Sequence, residues 1–181
     1  EVDVRITGGT YKGRRITCPP GIIRPAMDRM RESLFSMLGD ISGLSFIDLF
    51  SGSGTMGFEA ESRGATPVVL VERDHRKKDV ILSNIRTLAS SARLIMSPVE
   101  RIVVRSPESY DIVFMDPPFA YKHKLDLLRK AASSRLLHSD TRLLIHFPTQ
   151  EDLPEQIDRL GLSTRRDYGG SRLHIYGMTG Y

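Results

Sequence analysis

Two stretches of the chain set chemically capable residues at the ends of apolar runs. The first is DLFSGSGTMG over 48–57, in which Asp48 precedes Gly52, Gly54 and Gly57, and Glu72 follows 20 residues after Gly52. Glycines at this spacing let a backbone approach a ligand closely, and an acid about 20 residues on is placed to accept from ribose hydroxyls. Two ligand classes suit the pattern. A dinucleotide would lay its pyrophosphate on the N-terminus of the following helix. S-adenosylmethionine carries no phosphate; it needs the acid for its ribose, glycine space for its methionine arm and a carboxylate for its charged amine. Asp48 would repel a pyrophosphate and attract a sulfonium and an ammonium, so it favours S-adenosylmethionine.

The second stretch is FMDPPF over 114–119. Asp116 ends an apolar run, and Pro117 and Pro118 follow, which donate no backbone hydrogen bond and fix φ. An acid at a buried strand end is costly unless satisfied, so it serves as a helix cap or in a site. The next helical pattern starts past Tyr121, too late for a cap. The corner holds Asp116 and the Pro117 carbonyl as acceptors and presents Phe119 as a flat face. That set fits a planar base with an exocyclic amine: the ring stacks, and the acceptors take the amine hydrogens. Accepting them keeps the nitrogen lone pair out of the ring and aimed at an electrophile. A base inside folded nucleic acid would have to be unstacked to reach it.

The elements that position these residues follow from periodicity. Short strands are expected over 4–7 and 14–17, joined by a glycine-rich link, and Pro19, Pro20 and Pro25 impose extended chain. Met27, Met30, Leu34, Met37 and Leu38 recur at helical spacing up to Gly39. Apolar strands then alternate with helices: strands over 45–50, 67–72, 93–96, 111–116 and 142–147, and helices over 55–63, 75–88, 100–105 and 123–133. A further helix is expected over 151–160, then strands over 162–167 and 172–177 joined by DYGGS as a hairpin. This is an α/β chain with a seven-stranded, mostly parallel Rossmann-like sheet, helices on both faces and an antiparallel C-terminal hairpin. Such sheets bind ligands at the carboxyl ends of their strands, where Asp48, Glu72 and Asp116 fall. The expected domains are a basic hairpin extension over 1–25 and a catalytic domain over 26–181.

Composition narrows the class. The 181 residues are 40% hydrophobic, enough for a core. No apolar run approaches the roughly 20 residues of a membrane span. The first residues read without an apolar secretory core, and Cys18, the single cysteine, excludes an internal disulfide or a thiolate metal site. A cytoplasmic protein is expected. Net charge is +4, and between Arg5 and Arg31 the bases Arg5, Lys12, Arg14, Arg15, Arg24, Arg29 and Arg31 face one acid, Asp28. A cationic segment beside a near-neutral body fits a polyanion such as nucleic acid, or a solvated face. His75, His123 and His146 show no paired spacing and read as surface or packing residues; no metal site is expected.

The motifs together resemble class I S-adenosylmethionine-dependent amino-methyltransferases, which carry Asp, Asn or Ser before Pro-Pro and an aromatic. The likeness is closer still to the bacterial RsmD family, which methylates N2 of a guanine in 16S rRNA. RITGGTYKGRR, IIRPAMDRMRESLF, IDLFSGSGTMGFEAESRGA, VER, DIVFMDPPF and YGGSRLHIY follow in family order. The resemblance implies that Asp48, Phe50, Ser51, Gly52, Ser53 and Gly54 hold the methionine part of S-adenosylmethionine. It implies that Glu72 binds the ribose, with Arg73 beside the adenine, and that Asp116, Pro117, Pro118 and Phe119 hold the guanine amine. Arg24, Asp28 and Arg31 would close over the cofactor or touch RNA. Lys12, Arg14, Arg15, Arg24 and Arg29 are the candidate RNA contacts. Ser97 stands where the family usually has an acid that accepts from the adenine amino group, so its hydroxyl or a backbone carbonyl would take that cofactor contact, and Phe119 stands where Tyr is common. The implied partner is 16S rRNA in an assembling small subunit, with the enzyme a monomer that needs no metal. Competing readings are a DNA adenine- or cytosine-amino methyltransferase, a nicotinamide-dependent oxidoreductase and a non-catalytic RNA-binding protein. The small mass outside the core, Asp48 with DPPF, and the intact Asp116 and glycines argue against them in turn.

Overall fold

A computed structural model describes residues 2–19 and 25–180. Arg24 lies outside the described residues. The chain forms two compact units, residues 1–96 and 97–181.

In the first unit, β1 (Val2–Arg5) and β2 (Arg15–Cys18) pair antiparallel, Val2 opposite Cys18. Helix α1 (Pro25–Leu38) follows, then β3 (Phe46–Asp48), α2 (Thr55–Ser62), β4 (Val68–Glu72), a single 3-10 turn (His75–Lys77), α3 (Lys78–Leu88) and β5 (Arg93–Met96). The strands β3, β4 and β5 run parallel, and the register brings Asp48 opposite Leu70 and Glu72 opposite Met96. Every residue of β4 is buried, as the continuous Val-Val-Leu-Val run requires of a strand covered on both faces. Gly57 lets α2 approach β4: a Cβ there would lie 2.1 Å from Leu70 Cδ2.

The link between β1 and β2 is tied to α2. Thr10 N–H donates to the Ser62 carbonyl at 2.8 Å, and Tyr11 N–H donates to Ser62 Oγ at 2.8 Å. Gly9 has φ +77°, and a Cβ there would lie 1.8 Å from the Ser62 carbonyl oxygen, so only glycine fits this approach.

In the second unit, α4 (Val99–Arg105), β6 (Tyr110–Met115), α5 (Lys124–Ala132), β7 (Leu137–Pro148), β8 (Gln156–Ile157), β9 (Leu160–Tyr168) and β10 (Ser171–Met178) follow in order. β6 and β7 are parallel, β10 pairs antiparallel with both β7 and β9, and β8 adds to β9. The C-terminal hairpin turns at Gly169, φ +64°. Buried His174 on β10 meets Phe147 edge-on at 4.9 Å, and its Nδ1 lies 2.9 Å from the Tyr176 hydroxyl. Burial pushes the His174 imidazole down to about 4.

The helix expected over 151–160 does not form. β8 and a turn at Asp158, φ +51°, take its place, so among the described residues the two units contribute eight strands besides the N-terminal pair instead of seven. Leu153, Ile157 and Leu160 are buried and repeat at helical spacing, which is why the pattern misleads. Pro154 disfavours helix at the residue before it, and the Tyr176 hydroxyl donates to the Pro154 carbonyl at 2.8 Å, pinning that segment as a loop. β7 is longer than the expected 142–147 because its start bulges: Tyr110 pairs with Leu137 but Ile112 with Arg142. Thr141 fills the bulge, its hydroxyl donating to the Tyr110 carbonyl at 2.6 Å.

Candidate active-site residues

The glycine loop is built by backbone. Ser51 N–H donates to the Val71 carbonyl at 2.9 Å and Gly54 N–H to the Ser51 carbonyl at 2.8 Å, folding the chain tightly between β3 and α2. Gly52 N–H donates to Glu72 Oε1 at 2.8 Å, and Asp74 N–H to Glu72 Oε2 at 2.9 Å. The structure therefore joins the two residues that spacing linked. Each Glu72 oxygen keeps a second lone-pair direction for a hydroxyl donor. Gly52 has φ +59°, and among the described residues no atom lies within 4 Å of a Cβ built there, which leaves room over the loop. At Gly54, φ +91°, a Cβ would instead strike Phe58 at 2.5 Å. One glycine thus leaves room for a ligand and the other for packing.

Asp48 is 1% exposed; Phe50 N–H donates to its Oδ1 at 3.3 Å, and the Ser51 hydroxyl donates to its carbonyl at 3.0 Å. Ser53 belongs to a second cluster. Asn84 donates to the Ser53 carbonyl at 3.1 Å and the Thr17 carbonyl at 2.8 Å, and Cys18 Sγ lies 3.2 Å from Ser53 Oγ. This cluster clips β2 to the glycine loop. Arg73 is exposed, and next to it Arg76 grips Asp74 through two 3.0 Å bonds, holding that carboxyl low, at about 2. A buried carboxylate, an acid at the strand end and the room at Gly52 are a set of acceptors and space that fits S-adenosylmethionine. Ser97 is buried and its hydroxyl donates to the Pro98 carbonyl at 3.0 Å.

The corner after β6 is built by side chains. Asp116 follows Met115 directly, Pro117 is buried, and Phe119 is 55% exposed. Tyr121 N–H donates to the Pro118 carbonyl at 2.9 Å, closing a tight turn around Phe119. Tyr121 is fixed in turn: its hydroxyl donates to Glu100 at 2.9 Å, and its carbonyl accepts from buried Lys124 at 2.6 Å. Lys124 also pairs with Glu151 at 2.8 Å. Asp116 Oδ1 lies 3.0 Å from Nδ1 of His146 on β7. His146, which reads from sequence as a packing residue, thus touches a candidate catalytic carboxylate.

The model of a family described as Conserved hypothetical protein 95 matches residues 4–177. Ribosomal RNA small subunit methyltransferase D of Haemophilus influenzae is 32% identical over 162 residues, covering 84% of this chain and 81% of that protein. The chain belongs to the RsmD family. The protein of that name from Escherichia coli K12 is 39% identical over 120 residues, spanning 64% of this chain and 60% of its own length. The solved structure of yhhF from Escherichia coli superposes with a TM-score of 0.90 at 28% identity, covering 99% of this chain and all of that one.

Within this RsmD-family chain the basic residues divide. Lys12, Arg15 and Arg29 are exposed. Arg14 bonds the Thr87 carbonyl and lies over the Tyr11 ring at 5.8 Å. Arg31 is 3% exposed and its guanidinium is taken up by protein: Nε donates to Glu59 at 3.1 Å and an NH2 to the Arg5 carbonyl at 2.8 Å. The expectation that Arg31 holds the cofactor thus meets a guanidinium engaged inside the unit.

Glu59, which sequence reasoning missed, is the hub. It is fully buried in α2 and accepts from Thr7 N–H and Oγ1 and from Arg31, all on Oε1, and from Gly8 N–H and Arg63 on Oε2. The signal that could have found it is an acid between apolar neighbours in GFEAES, on the side of the helix that faces the core. Among the described residues no group of three or more His, Cys, Asp or Glu converges as a metal cluster, and no helix is long and apolar enough to cross a membrane.

Proposed function

We propose that this chain transfers a methyl group from S-adenosylmethionine to the exocyclic N2 amine of a guanine in 16S rRNA, on an assembling small ribosomal subunit. It acts in the cytoplasm as a monomer. The observation that carries the reading is the DPPF corner: a partly exposed carboxylate on a proline-stiffened turn beside an exposed aromatic ring. Membership of the RsmD family, and the names of its relatives, support small-subunit rRNA as the substrate.

Each group has a role in this reading. Phe119 stacks on the guanine, a contact worth about 1–3 kcal/mol per base. Asp116 and the Pro117 carbonyl accept the two amine hydrogens, which turns the nitrogen lone pair out of conjugation. Asp116 receives the proton the amine releases, or passes it to solvent. Glu72 accepts the ribose hydroxyls, Gly52 leaves room above the loop, and Asp48 meets the ammonium. S-adenosylmethionine, when bound, supplies an electrophilic methyl, so no covalent enzyme species is needed. Positioning and exclusion of water account for the acceleration. Lys12, Arg15 and Arg29 contact RNA phosphates, and Arg31 acts through the hairpin by fixing it to α2.

Calorimetry and labelled transfer test the reading. S-adenosylmethionine is expected to bind and NAD is not; binding of NAD alone would end the proposal. Label from the cofactor is expected in 16S rRNA, more in assembling particles than in duplex DNA. Label confined to DNA would move the assignment to the DNA amino-methyltransferases.

A further inference from the structure

His146 has no part in the reaction just described, yet the fold aims it at Asp116. Met115 pairs with Ile145 in the parallel β6–β7 ladder, so the next residue on each strand, Asp116 and His146, lies side by side on the same face. A slip of one residue would turn the ring to the opposite face. His146 is mostly buried, with 15% of its side chain exposed against 28% for Asp116. Its Nδ1 lies 3.0 Å from Asp116 Oδ1, and its Nε2 is buried with no hydrogen-bond partner among the described residues. The polar tie of the ring is therefore Asp116 itself. A ring that served only to fill space would not need a nitrogen there, and its buried Nε2 carries a desolvation cost that a hydrocarbon would avoid.

We propose that His146 is a positioning residue for methyl transfer: its Nδ1–H holds Oδ1 of Asp116 and so presents Oδ2 to the substrate amine. This rests on the amine-acceptor reading of Asp116. A carboxylate accepts, so the ring donates to it from Nδ1. One oxygen is then fixed by the protein and the other is left to the substrate. A carboxylate without this tie rotates about its Cβ–Cγ bond and divides its time between orientations that do and do not meet the amine. The two prolines stiffen the backbone of the corner, and His146 supplies what they cannot, the torsion of the side chain.

The test compares His146→Leu, which keeps bulk without a donor, with His146→Asn, whose Nδ2 falls where Nδ1 stood. With the wild-type enzyme shown active on 16S rRNA as control, His146→Leu should lower kcat about ten- to hundredfold, the loss of one charge-assisted hydrogen bond, while the KM for RNA and the Kd for S-adenosylmethionine hold. His146→Asn should recover most of kcat. Equal loss in both variants, or no loss in either, overturns the proposal. A wild-type enzyme inactive on every RNA would instead overturn the parent reading. Nitrogen NMR of the imidazole gives a readout independent of activity: the Nδ1–H tautomer is expected in the wild type and a changed tautomer balance in Asp116→Ala. An Nε2–H tautomer in the wild type contradicts the assignment.

Discussion

The two strand ends to which the proposed function assigns the chemistry hold their carboxylates in different ways. At the first, Glu72 is gripped by the main chain, with an N–H of Gly52 and an N–H of Asp74 on separate oxygens. At the second, Asp116 is held by a side chain, His146, from a strand 30 residues away. A main-chain grip fixes the fold of the loop along with the acid, so stability and ligand binding should fail together. A side-chain grip fixes only the acid, so chemistry should fail while fold and cofactor affinity survive.

Substitutions separate the two modes. Asp116→Asn should cut the rate of methyl transfer by about 10²–10⁴-fold, the usual span for a positioned proton acceptor, with thermal unfolding and cofactor calorimetry unchanged. A parallel loss of cofactor affinity would erase the distinction. The second unit also carries a pH dependence. The His174 pKa falls to about 4 from an ordinary 6.5, so the unfolded chain binds its proton first. The stability this neutral burial supports is fully present above about pH 6.5 and is lost as pH falls toward 4, a change on the order of 3 kcal/mol. Denaturant midpoints across that range should show the slope, and His174→Phe should flatten it.

Glu72→Gln comes next. Its amide would turn a donor toward one of the two N–H groups, at a cost of about 1–3 kcal/mol in unfolding free energy, with cofactor affinity falling alongside. Stability unchanged with affinity lost would mean that the main chain does not need the acid. Gly52→Ala should have the smallest effect on the fold, about 1–2 kcal/mol for a left-handed residue in open space, seen by denaturant unfolding. Its larger consequence should be weaker cofactor binding, because the methyl enters the space above the loop.

The same contrast separates what is legible in the sequence from what is not. The glycine loop and Glu72 are local: spacing, φ and strand ends are written within 25 residues (48–72), and the fold brings them together. The DPPF corner is local as well, and the alternation of strands and helices marks the class as α/β. What escapes depends on neighbours distant in sequence. His146 is meaningful only once Met115 pairs with Ile145. Glu59 is meaningful only once the Thr7–Gly8 backbone and Arg31 fold onto α2, contacts across 52, 51 and 28 positions. The segment over 151–160 misleads because Leu153, Ile157 and Leu160 share helical spacing, while Pro154 and the Tyr176 hydroxyl decide otherwise.

In the proposed function, Asp116 presents the exocyclic amine of a guanine for methylation. Nucleoside analysis by mass spectrometry of 16S rRNA treated with the enzyme and S-adenosylmethionine tests it most directly. N2-methylguanosine as the new nucleoside, formed at least about a hundredfold more slowly with Asp116→Asn, is the expected result. A ring-nitrogen, ribose or adenine methyl as the product, or N2-methylguanosine formed equally well by Asp116→Asn, would contradict it.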